Sequence, residues 1–175
     1  QPIDGPIGYK VEAPPLHPLI FASTTTGMGQ QQAQTLRDFP FTHALLALLR
    51  DGFHPQSEGG AVHLRGDGSP ELDYPLNDFG LDGCRRALLS MAELQFGAGA
   101  RHGLPGHGLA LPVTSWGGAR QALQAMPMQP LLAKVASAHV MGGCGLGGTA
   151  SQGVTRPDGI HWQAVNLSVH DGSLF

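Results

Sequence analysis

One stretch of the chain concentrates side chains able to do chemistry: Ser137-Ala-His-Val-Met-Gly-Gly-Cys-Gly-Leu-Gly-Gly148. The alternation over 135–141 predicts a strand, with Val135, Ser137, His139 and Met141 on one face. The glycines behind it let the backbone turn sharply or let a flat ligand come close. A histidine ending such a strand is well placed as a general base, because imidazole exchanges a proton near neutral pH. The residues alone fit equally a core histidine hydrogen-bonded to a backbone carbonyl.

Other combinations carry less. Gly143-x-Gly145-x-x-Gly148 matches the dinucleotide fingerprint in letters, but Thr-Ala-Ser-Gln-Gly-Val-Thr-Arg-Pro follows, which is no amphipathic helix. Cys144, five residues after His139, has no electropositive neighbour to make a thiolate, and reads as a small buried side chain. A hydrolase using Cys144 or Ser115 with a histidine lacks any nucleophile-elbow pattern. The nine histidines, including His102 and His107 or His161 and His170, follow no metal-ligand spacing, so no metal is expected. His54, before Pro55, reads as a solvated loop residue, and Trp116 and Trp162 as core or rim aromatics.

The elements that must position these residues follow from periodicity and punctuation. Residues 9–13 alternate, and 18–22 form an apolar run after a proline, so both predict strands. Residues 30–37 predict a short helix, and the continuous run 41–50 fits a strand or a core helix. Residues 61–65 and 71–74, joined through Gly66-Asp67-Gly68-Ser69, predict a hairpin in which Asp67 and Gly68 take positive φ. Spacing of three and four over 81–96 predicts a helix capped by Asn77 or Asp78. A glycine-rich loop spans 97–108, Ser115 caps a helix over 118–125 that ends by Pro127, and 166–169 predicts a last strand. The class is α+β with a mostly antiparallel sheet and helices packed on one face.

Composition narrows the functions. With 175 residues, 13% charged, a net charge of −3 and no basic run of five or more, the chain argues against nucleic acid as a partner. Apolar runs fall well short of the ~20 residues that span a bilayer, so no membrane span is expected. Two cysteines make no disulfide framework or four-cysteine zinc site; one bridge is open to them, though nothing in their spacing demands it. No signal peptide is visible, and any targeting segment would precede Gln1, leaving a cytoplasmic or a periplasmic location open.

Four ordered blocks resemble the glucose–methanol–choline (GMC) family of flavin-dependent alcohol oxidoreductases. The segment from His139 to Gly147 is similar to its H-x-x-G-[TG]-C-x-[ML]-G block. Gly153-Val-Thr-Arg-Pro-Asp-Gly-Ile-His-Trp162 and Asn166-Leu-Ser-Val-His-Asp-Gly-Ser-Leu-Phe175 resemble the family's G-V-x-D-x-x-G and N-L-x-V-x-D-[AG]-S segments. Ser57–Arg65 and Asp73-Tyr-Pro-Leu-Asn77 resemble the segments opening its C-terminal region. The resemblance covers residues 55–175 well and 1–54 only vaguely.

It implies a fragment of a two-domain FAD-dependent oxidoreductase acting on CH–OH groups. Residues 55–175 would be its C-terminal domain, truncated at the end, and 1–54 part of the substrate-binding region. A small alcohol would be the substrate, and the chain's own missing domain would hold most of the FAD. By carry-over, His139 is the general base toward the alcohol hydroxyl while hydride passes to the flavin, and Asp171, Gly172 and Ser173 approach the cofactor. The family's FAD-binding glycine motif and its second catalytic residue are absent from these residues. Thr155 stands where the family often has Asp, with Asp158 expected to keep the turn. A different class of reading is a non-catalytic α+β binding module that keeps the scaffold. The oxidoreductase reading expects His139 and Asp171–Gly172 on one side of the molecule, an apolar or glycine-lined face toward the missing domain, and no activity from the fragment alone.

Overall fold

A computed structural model describes residues 5–25, 27–57 and 59–175. The chain divides into two compact units, one running to Lys134 and one comprising Val135–Phe175. The class is α+β with antiparallel pairing. Among the described residues the strands form two two-stranded sheets, and four helices accompany them.

In the first unit, β1 (Tyr9–Glu12) pairs antiparallel with β2 (Leu46–Leu49), Val11 opposite Ala47. Between them lie α1 (Pro18–Thr24) and α2 (Gln30–Arg37), followed by a short 3-10 turn at Phe39–Phe41. The strand expected over 18–22 is a helix. Pro18 occupies the first helical turn, where its fixed φ suits a helix, and His17 caps it by accepting the Leu19 N–H at Nδ1, 3.2 Å. Phe21 is thereby buried against Phe39, ring centroids 5.2 Å apart. Of the ambiguous run at 41–50, Leu46–Leu49 form a strand because β1 offers them a partner, while Phe41 belongs to the 3-10 turn.

The hairpin forms as β3 (Ala61–Leu64) and β4 (Pro70–Asp73), with Val62 opposite Leu72. Only Gly68 takes positive φ, +81°. Asp67 contributes through its side chain instead, accepting the Ser69 N–H at 2.9 Å and hydroxyl at 2.6 Å. The turn is the three-residue form, closed by the Gly68 N–H donating to Arg65 O. Val62, Leu64 and Leu72 share one exposed face of this ribbon.

Helix α3 (Asp78–Gly97) starts at Asn77, whose side chain accepts the Gly80 N–H at 3.1 Å. It packs on β1 and β2 and on α4 (Trp116–Ala125), capped by Ser115. Gly83 lets α3 approach closely, since a Cβ there would run into Ile7. Ala119 and Leu123 of α4 are wholly buried. Arg85 reaches from α3 to the end of α4, donating to the carbonyls of Leu123, Gln124 and Met126. His107, in the expected loop, is the satisfied core histidine of this unit. Its Nδ1 accepts the Leu109 N–H at 3.1 Å, which leaves Nε2 to donate to Pro127 O at 2.9 Å. No helix among the described residues is long and apolar enough to cross a membrane.

The second unit has no strand ladder. The strands expected at 135–141 and 166–169 are absent: the first has no paired neighbour and is exposed, and in the second only Ser168 bridges, to Ile160. Isolated bridges hold this unit instead, Leu146 to Thr155 and Thr155 to His161.

Candidate active site

His139 lies on the exposed stretch just before the glycine turn, and no hydrogen bond fixes its ring among the described residues. It is therefore not the core histidine that its residues alone equally allowed. Past it, Gly142 and Gly143 take φ of +79° and +94°, conformations that side chains resist, and bend the backbone sharply. The bent segment then runs beside the chain's last residues. Cys144 N donates to Ser173 O at 3.0 Å and Leu146 N to Leu174 O at 3.1 Å.

That pairing brings the neighbourhoods of His139 and Asp171 together. A Cβ on Gly172 would sit 2.9 Å from the carbonyl oxygen of Val140, the residue following His139. Two segments some thirty residues apart in sequence are thus in backbone contact.

Asp171 caps a 3-10 turn at Gly172–Leu174. Its Oδ1 accepts the Ser173 N–H at 2.9 Å and the Ser173 hydroxyl at 2.5 Å, and these bonds hold its carboxyl below the usual carboxylate range. Asp171 and Gly172 are exposed and Ser173 is half-buried. Among the described residues the second carboxylate oxygen of Asp171, and the N–H groups of Asp171 and Gly172, have no partner. This edge therefore offers one acceptor and two donors to an incoming ligand.

On its other edge the glycine segment is held by the strand-like run 153–155. Gly147 N donates to Thr155 O and Val154 N to Gly145 O, both at 2.9 Å. The two backbones cross so closely that a Cβ on Gly153 would lie 2.5 Å from Gly145 O. Thr155, which the sequence marked only as a departure from an expected Asp, is wholly buried and donates from Oγ1 to Cys144 O at 3.0 Å. Asp158 keeps its turn, accepting the Ile160 N–H at 3.1 Å beside Gly159 at φ +82°.

A depression of about 510 Å³ opens beside this crossing, walled by Gly143, Gly145, Gly153, His161 and Trp162. His161 Nδ1 accepts the N–H groups of Gln163 and Ala164, both at 3.0 Å, and the Arg156 guanidinium lies 5.2 Å from the Trp162 ring. Trp162 Nε1 is buried without a partner among the described residues. No group of three or more metal-ligating side chains occurs among the described residues, and Cys84 and Cys144 are both free.

The model of the GMC oxidoreductase family matches residues 55–175. The chain is 27% identical over 173 residues to a long-chain-alcohol oxidase of Arabidopsis thaliana. That match covers 94% of the chain and 23% of the relative, so the chain spans about a quarter of the relative's length. No solved structure matches.

Proposed function

This chain belongs to the GMC oxidoreductase family, and on that footing we propose that it is the substrate-side, catalytic portion of an FAD-dependent oxidoreductase acting on CH–OH groups. The observation that carries the reading is the contact between the turn after His139 and the Asp171–Ser173 edge, within the matched region. It is the arrangement expected if one segment supplies a proton acceptor and the other meets a cofactor. Residues 55–175 are then a C-terminal domain and residues 1–54 part of the substrate-binding region. A domain outside these residues holds most of the FAD.

The Asp171 edge fits a contact with such a cofactor. Its free N–H groups and open carboxylate oxygen can bond polar ring or ribityl groups, and Ser173 keeps the carboxylate charged and oriented. FAD, when bound, supplies the hydride acceptor that no side chain can replace. His139 takes the hydroxyl proton from the alcohol oxygen at a ring nitrogen, so that the oxygen can form the new carbonyl as the C–H bond breaks. Its exposed ring, without a hydrogen bond among the described residues, is open to that proton.

The substrate is a small-molecule alcohol, a reading the name of the Arabidopsis relative supports. Made alone, these residues bind FAD weakly or not at all and turn over no alcohol, because a general base contributes only ~10²–10⁴ of the rate. The test is the complete polypeptide carrying this chain, purified and given a series of primary alcohols. Bound yellow flavin that is reduced by alcohol is the expected result. A complete polypeptide that holds no flavin and oxidises no alcohol would identify a binding module instead.

A further inference from the structure

We propose that Thr155 is a positioning residue for the His139 site, acting through the glycine turn. The proposal rests on the reading of His139 as the proton acceptor. Three atoms of Thr155 grip one short stretch of backbone. Oγ1 donates to Cys144 O at 3.0 Å, the amide N donates to Gly145 O at 3.3 Å, and the carbonyl accepts from Gly147 N at 2.9 Å. Cys144 is where the two edges of the turn meet. Its carbonyl is held by Thr155, and its N–H is held by Ser173 O, two residues beyond Asp171.

The unit has no ladder to fix this geometry, and the Thr155 hydroxyl adds a side-chain bond to the few backbone bonds that hold it. Thr155 and His107 are the buried polar residues among those described, and of the two only Thr155 belongs to the second unit. A hydroxyl suits the place because it can donate to a carbonyl oxygen, which an ionised carboxylate cannot do. With Oγ1 removed, the turn that spaces His139 from the Asp171 edge keeps only backbone bonds. Small misplacements of a catalytic group reduce rate steeply.

The experiment compares Thr155→Val, which keeps the shape and loses the donor, with Thr155→Ser, which keeps the donor. In the complete flavoenzyme, Thr155→Val should lower kcat about tenfold with KM within about twofold and the flavin spectrum retained, and Thr155→Ser should restore kcat. In the 175-residue chain, Thr155→Val should speed amide exchange at Cys144, Leu146 and Gly147 by about tenfold. If His139→Ala removes activity while Thr155→Val keeps kcat, the positioning role is overturned and the reading of His139 stands. If His139→Ala keeps the parental rate, it is the reading of His139 that fails, and the proposal falls with it. Should Thr155→Val not fold, Thr155→Ser decides alone. A kcat within about twofold of the parent supports the hydroxyl, and a tenfold loss shows that the methyl group mattered instead.

Discussion

Gly172→Ala should separate the two halves of the site by a known amount. A Cβ at position 172 would lie 2.9 Å from Val140 O, a contact real Cβ atoms essentially never make. Relief takes a shift of about 0.5 Å, and strain of this kind typically costs about 1–3 kcal/mol. The obstacle is backbone on both sides, so no side chain can rotate away. The movement must lengthen the 3.0 Å bond from Cys144 N to Ser173 O or tilt the stretch carrying His139. In the complete enzyme a misplacement of half an ångström should lower kcat/KM by about tenfold. In the isolated chain the Cys144 amide should exchange faster. Gly148→Ala is the control, since its Cβ would meet only the far end of the Gln152 side chain, at 3.3 Å. Amide exchange and kcat/KM both within about twofold of the parent in Gly172→Ala would refute the reasoning.

Two further outcomes are expected. The Asp171 carboxyl, held low by Ser173, should titrate below the ordinary carboxylate range by carboxyl-carbon NMR, and Ser173→Ala should raise its midpoint. Because the folded-state value is the lowered one, the stabilisation of this turn is present above the ordinary carboxylate value and lost as pH falls through the lowered one. Arg85→Met should destabilise the first unit by about 2 kcal/mol in urea unfolding, because three carbonyls at the end of α4 lose a charged donor. Arg85→Lys should recover only part, lacking the planar fork.

Local rules found much of this fold. Asn77 and Ser115 cap α3 and α4 as their residue types and spacing imply, and the glycine-containing turn closes β3–β4. The misreadings share one physical cause. The apolar run at 18–22 and the alternation at 135–141 both read as strands, and nothing in the pattern says which will find a partner. At 18–22 a histidine cap and a proline in the first turn tip the chain to a helix. At 135–141 no strand among the described residues pairs with the run, so it stays irregular and exposed. At the proposed site, the resemblance marks His139, Asp171, Gly172 and Ser173, and the proximity of Gly172 to Val140 is visible only in the fold. Thr155 carried one signal only, a residue type out of place, because its importance lies in which carbonyl its hydroxyl reaches.

The central claim is that His139 accepts the proton as the alcohol is oxidised. Its most direct test is anaerobic rapid mixing of the complete, flavin-loaded enzyme with a primary alcohol, following the loss of flavin colour in one turnover. The account predicts that His139→Ala keeps the bound flavin and the alcohol's apparent affinity but slows that loss by at least ~10². Flavin reduction at the parental rate in His139→Ala would contradict it.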